Sequence, residues 1–315
     1  MKIVILDGHA LNPGDLSWDA LKTFGTVTYY DRTPTEDEAI RRISDAEIVL
    51  TNKVPITESL LTACPGIRLV CVLATGYNVV DCAAARARNI PVCNVPSYST
   101  EAVAQFTFAL LLELCNQVGL HNQSVHAGEW TSCPDFCYWK APLMELSGKT
   151  LGIIGYGRIG KNVAKIATAM GMKVLTHSRT QHPGESHVSL EELLSQSDVV
   201  TLHCPLFPET QGIINTQTIS KMKDGAILIN TSRGPLIDEQ AVADALTSGK
   251  LRGAAVDVVS REPIPGNSPL LAVPNCIITP HIAWAPLETR QRLLDCVIAN
   301  IRCFLDGQPQ NVVNA

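Results

Sequence analysis

Three short segments in the second half of the chain carry side chains suited to hydride chemistry at a carbonyl carbon. Asn230-Thr231-Ser232-Arg233-Gly234 follows the apolar run Ala226 to Ile229, which puts Arg233 at a strand end. A guanidinium there can grip a carboxylate through two parallel hydrogen bonds, which a lysine cannot do. Asp257-Val258-Val259-Ser260-Arg261-Glu262-Pro263 comes next, and Thr279-Pro280-His281-Ile282-Ala283-Trp284 last. Histidine, with an ordinary pKa of about 6.5, can give a proton to a ketone oxygen near neutral pH. A carboxylate beside it would favour the imidazolium and orient the ring, the role this reading gives to Glu262. Singly, each residue has an ordinary alternative: a loop charge, a turn acid, a structural histidine after proline. Together they are what reduction of a 2-oxo acid needs.

The hydride source has its own signal. Gly155-Tyr156-Gly157-Arg158-Ile159-Gly160 lies between the strand-like run Thr150 to Ile154 and the helix-like run Lys161 to Met170. A strand that ends in a glycine turn lets backbone approach a pyrophosphate, and the next helix aims its N–H groups and positive dipole end at the phosphates. A second strand-like segment, Lys173 to Thr176, completes a βαβ unit. Gly155, Gly157, Arg158, Ile159 and Gly160 are therefore candidate dinucleotide ligands.

NAD-preferring sites place an acid about 20 positions after the first glycine, where it binds the ribose hydroxyls. This chain has Thr176-His177-Ser178-Arg179-Thr180 instead. No carboxylate there repels a 2′-phosphate; Arg179 offers a cation, and Ser178 and Thr180 offer hydroxyl donors. NADP is favoured over NAD, which stays possible.

These groups need a scaffold, and the chain alternates strand-like and helix-like runs from its start. Lys2 to Leu6, Thr26 to Tyr30, Ile48 to Leu50, Leu69 to Val72 and Pro91 to Asn94 read as strands, separated by helices such as Glu36 to Ile43 and Thr57 to Ala63. Ser99 to Gly119 reads as one long, mostly buried helix. After a loop rich in Cys, Trp and Pro (Trp130 to Pro142), the nucleotide fold begins at Thr150 and ends near Pro280. Leu287 to Leu305 is a last helix with no sheet of its own, so the chain is expected to return to its first domain. The pattern predicts an α/β protein of two doubly wound parallel-sheet domains: a substrate domain (1–98 and 286–315) with a Rossmann domain (99–285) inserted. Ligands of such sheets bind beyond the carboxyl ends of the strands, which puts the substrate in the cleft between domains.

Composition sets the outer bounds. The 315 residues suit two domains, with 46% hydrophobic residues and a net charge of −5. No basic run, zinc-type Cys/His spacing or aromatic stripe points to nucleic acid. The start, Met1 to Asp7, reads as a strand and not a signal peptide, and the longest apolar stretch, Phe106 to Leu112, is too short to span a bilayer. Eleven cysteines lie scattered without a C-x-x-C pair; Cys133 and Cys137, the closest two, lack partner ligands for a metal. A cytoplasmic protein with no metal is the expectation.

With these residues in view, the chain resembles the D-isomer-specific 2-hydroxyacid dehydrogenase family over nearly its whole length. The matching pieces are Ala74-Thr75-Gly76-Tyr77-Asn78, Glu101-Ala102-Val103-Ala104, the glycine turn, Thr231-Ser232-Arg233-Gly234, Ala255-Val256-Asp257-Val258 with Glu262-Pro263, and Thr279-Pro280-His281. Spacing agrees, with 29 positions from Arg233 to Glu262 and 19 from Glu262 to His281. The resemblance implies a flavodoxin-like substrate domain, Arg233 as carboxylate binder and carbonyl polariser, His281 as acid/base and Glu262 as its partner. It implies Asp257 as acceptor for the nicotinamide carboxamide, Thr231 and Ser232 among the cofactor-binding residues, and the N–H groups of Thr75 and Gly76 on the substrate carboxylate. Asp135-Phe136-Cys137-Tyr138-Trp139 and His281 to Ala285 look like the glycerate dehydrogenase (hydroxypyruvate reductase) branch, which implies hydroxypyruvate or glyoxylate as substrate. The family's dimers imply an isologous contact through Ser99 to Gly119 and the aromatic loop. The rival readings are a relative acting on phosphoglycerate or lactate-type oxo acids, and a non-catalytic protein that senses nicotinamide redox state.

Overall fold

The computed structural model describes residues 1–181 and 185–315. Five strands open the chain: β1 (Lys2–Ile5), β2 (Thr26–Tyr29), β3 (Ile48–Thr51), β4 (Leu69–Val72) and β5 (Val92–Cys93), with α1 (Glu36–Ile43), α2 (Glu58–Ala63) and α3 (Cys82–Ala87) between them. Each helix starts where a short polar side chain takes a first-turn N–H: Thr35 from Glu38, Thr57 from Leu60 and Asp81 from Ala84. Then come α4 (Thr100–Asn116), α5 (Val118–His126), β6 (Thr150–Ile154), α6 (Arg158–Ala169), β7 (Lys173–His177), α7 (Leu190–Gln196), β8 (Val199–Leu202), α8 (Thr216–Lys221), β9 (Ala226–Asn230), α9 (Glu239–Thr247), β10 (Leu251–Val256), β11 (Cys276–Ile278) and α10 (Leu287–Leu305). The chain divides into two compact units, Met1–Ser99 with Ala285–Ala315, and Thr100–Trp284.

The first unit holds a parallel sheet in the order β2-β1-β3-β4-β5, so its topological switch point lies between β1 and β3. β3 and β4 are buried along their whole length, as a sheet covered on both faces requires. The return of α10 to this unit has a specific anchor. Arg290, buried in α10, donates to both carboxylate oxygens of Asp15 at 2.7 and 2.6 Å and to the Leu11 carbonyl at 2.9 Å. The residues after α10 then cover the edge of β5, with Val313 N–H on the Val92 carbonyl and Asn314 Oδ1 accepting from Val92 N–H.

The second unit holds six parallel strands in the order β11-β10-β9-β8-β6-β7. A parallel bridge between Thr176 and His187 extends it beyond β7. Alternation along each strand feeds two cores, one per face: Leu228 and Val256 pack with Leu193 and Leu246, whereas Ile227, Ile229 and Ala255 pack with Phe108, Leu111 and Val163. Each fully buried side chain of this kind contributes roughly 1.5–3 kcal/mol.

One expected element is corrected. The single helix over Ser99 to Gly119 is two helices: α4 stops at Asn116, and Gln117 takes a left-handed conformation (φ 47°, ψ 45°) before α5 turns away at 56°. Glu113 at the end of α4 accepts the N–H of Gly119, a first-turn donor of α5, which stabilises the break. Among the described residues no single helix is long and apolar enough to cross a membrane; the bent pair α4 and α5 passes such a test only jointly.

Candidate active site

In the second unit the chemically equipped residues lie beyond the carboxyl ends of the strands. β6 has β7 on one side and β8 on the other, so the switch point falls beside the Gly155 turn. Gly155 has φ +99°, and a Cβ there would lie 2.4 Å from Cys204 N, so only glycine lets the turns after β6 and β8 touch. Gly157, by contrast, has nothing within 4 Å of where its Cβ would be. The fold itself does not require glycine at 157; the empty space in front of α6 suits a ligand approaching the backbone. Arg158, Ile159 and Gly160 form the first turn of α6, whose N–H groups a helix leaves without intrahelical partners. These residues fit a pyrophosphate.

At the end of β7 the expected ribose site is partly revised. Ser178, expected as a hydroxyl donor, spends its proton on the Thr180 carbonyl at 2.6 Å, so toward a ligand it acts as an acceptor. The exposed Arg179 guanidinium stands 4.5 Å above the Phe207 ring, and no carboxylate lies within Thr176 to Thr180. His203 follows β8, with its N–H on the Ile154 carbonyl at the end of β6. Its Nε2 lies 2.9 Å from Thr201 Oγ1, its Nδ1 is buried without a partner among the described residues, and burial lowers its pKa to about 3. It is a neutral imidazole.

Arg233, Glu262 and His281 follow β9, β10 and β11, three adjacent strands. Adjacent strands lie ~4.8 Å apart, so two spacings, ~10 Å, separate the outer two. The Arg233 turn is built by Asn230, which is fully buried: its Nδ2 donates to the Arg233 carbonyl (2.8 Å) and its Oδ1 accepts from Ser232 N–H (3.0 Å). Arg233 is exposed and gives Nη1 to the Ser232 carbonyl at 2.7 Å; its other donors make no hydrogen bond among the described residues. A Cβ on Gly234 would sit 2.0 Å from Val259 C, so glycine brings the Arg233 turn against the loop that carries Glu262.

Glu262 and His281 meet, with Oε2 2.7 Å from Nδ1. The acceptor fixes the proton on Nδ1 and leaves Nε2 available to a ligand. Glu262 Oε1 accepts from Val259 N–H at 3.3 Å, and Glu239 steadies the same loop through Ser260 N–H (2.6 Å) and Ser268 Oγ (3.2 Å). His281 has φ 55°, a left-handed conformation that costs a non-glycine residue of order 1–3 kcal/mol unless the surroundings impose it. They do: Trp284 Nε1 donates to the His281 carbonyl, and Asp257 accepts from Thr279 Oγ1, Ile282 N–H and Ala283 N–H on either side.

That arrangement gives Asp257 a structural part beside the one expected of it. It is buried, its carboxyl is raised above the usual range by that burial, and three of its roughly four lone-pair positions hold the His281 loop. One position remains for a carboxamide, so the carboxylate that holds the His281 loop still has an acceptor to offer. Thr231 is tied to α4 through Thr107, 3.1 Å away; since Thr107 gives its proton to the Val103 carbonyl, Thr231 must be the donor. Ser232 Oγ donates to the Cys204 carbonyl at 2.7 Å. Both hydroxyls can therefore only accept from a cofactor.

Thr75 and Gly76 lie in the first unit, in the turn after β4, where Thr75 Oγ1 donates to the Val95 carbonyl and Asn94 Nδ2 to the Thr75 carbonyl, both at 2.7 Å. The residues that reading by motif missed are Asn230, Glu239, Thr107, Thr279 and Trp284. All but Glu239, which holds the loop before Glu262, touch the candidate residues directly, and only Asn230 and Thr279 carried a signal, as the residues that open the turns. Among the described residues no group of three or more His, Cys, Asp or Glu side chains is placed to hold a metal.

A family model for the D-isomer specific 2-hydroxyacid dehydrogenase NAD-binding domain matches residues 108–283. The hydroxypyruvate reductase of Blautia hydrogenotrophica is 58% identical over the full length of both chains. This chain belongs to the D-isomer-specific 2-hydroxyacid dehydrogenases. A glycerate dehydrogenase of Methylorubrum extorquens is 44% identical over 91% of each chain. Among solved structures, an acyclic imino acid reductase in complex with NADPH and D-Arg superposes with a TM-score of 0.86 at 31% identity, over 99% of this chain and all of that one.

In this dehydrogenase a bound nicotinamide coenzyme supplies a hydride, two electrons without the proton that an alcohol also needs. The chain must provide that proton, and an imidazole such as His281, with Nδ1 engaged by Glu262, can give one from Nε2. Arg233 can hold a carboxylate and draw electron density from a neighbouring carbonyl, and a carboxylate 2.7 Å from Nδ1 can stabilise an imidazolium.

Proposed function

We propose that this dehydrogenase reduces hydroxypyruvate or glyoxylate to D-glycerate or glycolate, with NADPH as the preferred donor, and works as a homodimer. The observation that carries the reading is the His281–Glu262 pair at 2.7 Å on the same strand edge as a guanidinium with open donors. A carboxylate for Arg233 and a carbonyl oxygen for His281 describe a 2-oxo acid. The names of the two relatives, hydroxypyruvate reductase and glycerate dehydrogenase, support the choice among such acids.

NADPH is supported by Arg179 and by the missing acid at Ser178; the NADPH in the imino acid reductase structure shows that a protein of this fold takes that coenzyme. The dimer is supported by large apolar side chains exposed on α5 and in the loop after it: Phe136 is 90% exposed, Trp139 66%, Val118 63% and Trp130 50%. A two-fold contact of this surface with itself would cover it. The test is kcat/KM for hydroxypyruvate, glyoxylate, pyruvate and 3-phosphohydroxypyruvate with NADH and with NADPH. Hydroxypyruvate or glyoxylate with NADPH should rank first; coenzyme binding without oxidation by any of the four would refute the reading.

A further inference from the structure

The loop that carries Glu262 is held closed by a carboxylate from another element. Residues 257–268 lie outside any strand or helix, with Glu262 near the middle. Glu239, the first residue of α9, reaches both arms of this loop: Oε1 accepts Ser260 N–H at 2.6 Å, and Oε2 accepts from Ser268 Oγ at 3.2 Å. Glu262 lies between those two anchor points. Capping α9 does not occupy Glu239, because Asp238 takes the Gln240 and Ala241 N–H groups, both at 3.1 Å. Glu239 is half-buried and pairs with no cation among the described residues, so the loop donors are what offset its lost hydration. An irregular loop has many arrangements, and the 2.7 Å bond from Glu262 to His281 is met in only a narrow set of them. Glu239 also follows Arg233 closely in sequence, beyond a turn whose Gly234 backbone abuts Val259. One short segment thus carries the guanidinium and pins the loop that brings Glu262 to His281.

We infer that Glu239 is a positioning residue for the acid/base pair: by closing the loop it keeps Glu262 on His281 Nδ1, and it acts on the reaction only through that contact. The inference rests on the parts that Glu262 and His281 play in the function proposed above, and adds the group that holds them in register. Glu239→Ala should lower kcat for hydroxypyruvate about 10-fold, a part of the ~10²-fold that general acid catalysis supplies, with KM and the Kd for NADPH within about twofold. KM holds because the Arg233 turn is built by Asn230, which Glu239 does not touch. Glu239→Gln should restore kcat to within about threefold of wild type, since its carbonyl can accept Ser260 N–H and its amide can donate to Ser268 Oγ. In a Glu262→Ala background, Glu239→Ala should change kcat by less than about twofold, because no carboxylate is left to position. Equal falls in the two backgrounds would overturn the inference, Glu239 being then a general support of the fold; so would an unchanged kcat in Glu239→Ala. If Glu239→Ala does not fold, Ser268→Ala removes one of the two anchors and carries the same cycle, with a fall of about threefold expected beside Glu262 and none in Glu262→Ala. Nitrogen NMR of the His281 ring needs no substrate. The neutral ring should carry its proton on Nδ1 in the wild type and in Glu239→Gln, and lose that preference in Glu239→Ala; the same tautomer in all three would also overturn the inference. A wild type that keeps this tautomer and reduces no 2-oxo acid would refute the oxo-acid reading alone, so the two failures are distinguishable.

Discussion

The His281 ring is held by Glu262 on one side, Nδ1 to Oε2 at 2.7 Å, and its backbone is held by Trp284 and Asp257 on the other. Nε2 is thus left as the one atom of the ring with freedom to exchange a proton. His281→Ala should lower kcat by about 10²-fold or more, the scale of lost general acid catalysis, with the Kd for coenzyme unchanged. Steady-state rates together with coenzyme fluorescence titration check this. Near-normal turnover in a folded variant would remove His281 from the chemistry.

Arg233→Lys keeps the charge and loses the planar grip. Since Asn230 and Gly234 hold the turn through backbone and not through the guanidinium, the fold should survive. The expected signature is a drop of about 10²-fold in kcat/KM for the oxo acid, with coenzyme affinity intact. Equal damage to both would place Arg233 on the coenzyme.

Much of this was legible in the residues because local patterns reported on it. Strand runs such as Leu69 to Val72 are buried on both faces and so read as unbroken apolar segments, and the glycine turn carries its own spacing. The break at Gln117 was not legible: its cause is a left-handed residue and a carboxylate six positions from the N–H it caps, and apolar periodicity continues through both. The site divided in the same way. Arg233, Glu262 and His281 announce themselves by type, whereas the three bonds from Asp257 to the His281 loop join residues more than twenty positions apart and have no local signal. Likewise Ser178 looks like a donor until its proton is found on Thr180.

Burial of His203 has a consequence for stability. Its folded pKa of about 3 lies below the unfolded value of about 6.5, so between these values the unfolded chain binds a proton that the folded one refuses. Stability is therefore fully present above pH ~6.5 and is lost as pH falls toward ~3, by up to roughly 1.4 kcal/mol per pH unit. His203→Gln should flatten this dependence, making the loss from pH 7.5 to pH 5 smaller by up to roughly 2 kcal/mol. Urea midpoints of both proteins at the two pH values measure it, and identical pH dependences would show that His203 accepts its proton without unfolding.

Coenzyme choice turns on the end of β7, where Ser178 stands in the place of an acid and Arg179 rests on Phe207. Stacking on the ring limits the rotamers of a flexible cation and keeps it beside the ribose end of the site. A charge-assisted contact from Arg179 to a 2′-phosphate should supply roughly 1.5–3 kcal/mol, or about a 10- to 150-fold preference for NADPH. Phe207→Ala should narrow that preference by a few-fold without reversing it, since the cation remains but its placement loosens. Ser178→Asp with Arg179→Ala should reverse it, because the new carboxylate accepts from both ribose hydroxyls and repels a phosphate. An aspartate cannot make the bond that Ser178 gives to the Thr180 carbonyl, so the turn gives up that bond when the carboxylate faces the ribose. The measurement is kcat/KM for NADPH and NADH in the wild type and both variants at one ionic strength. A wild type that prefers NADH would return Arg179 to an ordinary surface charge stacked on a phenyl ring.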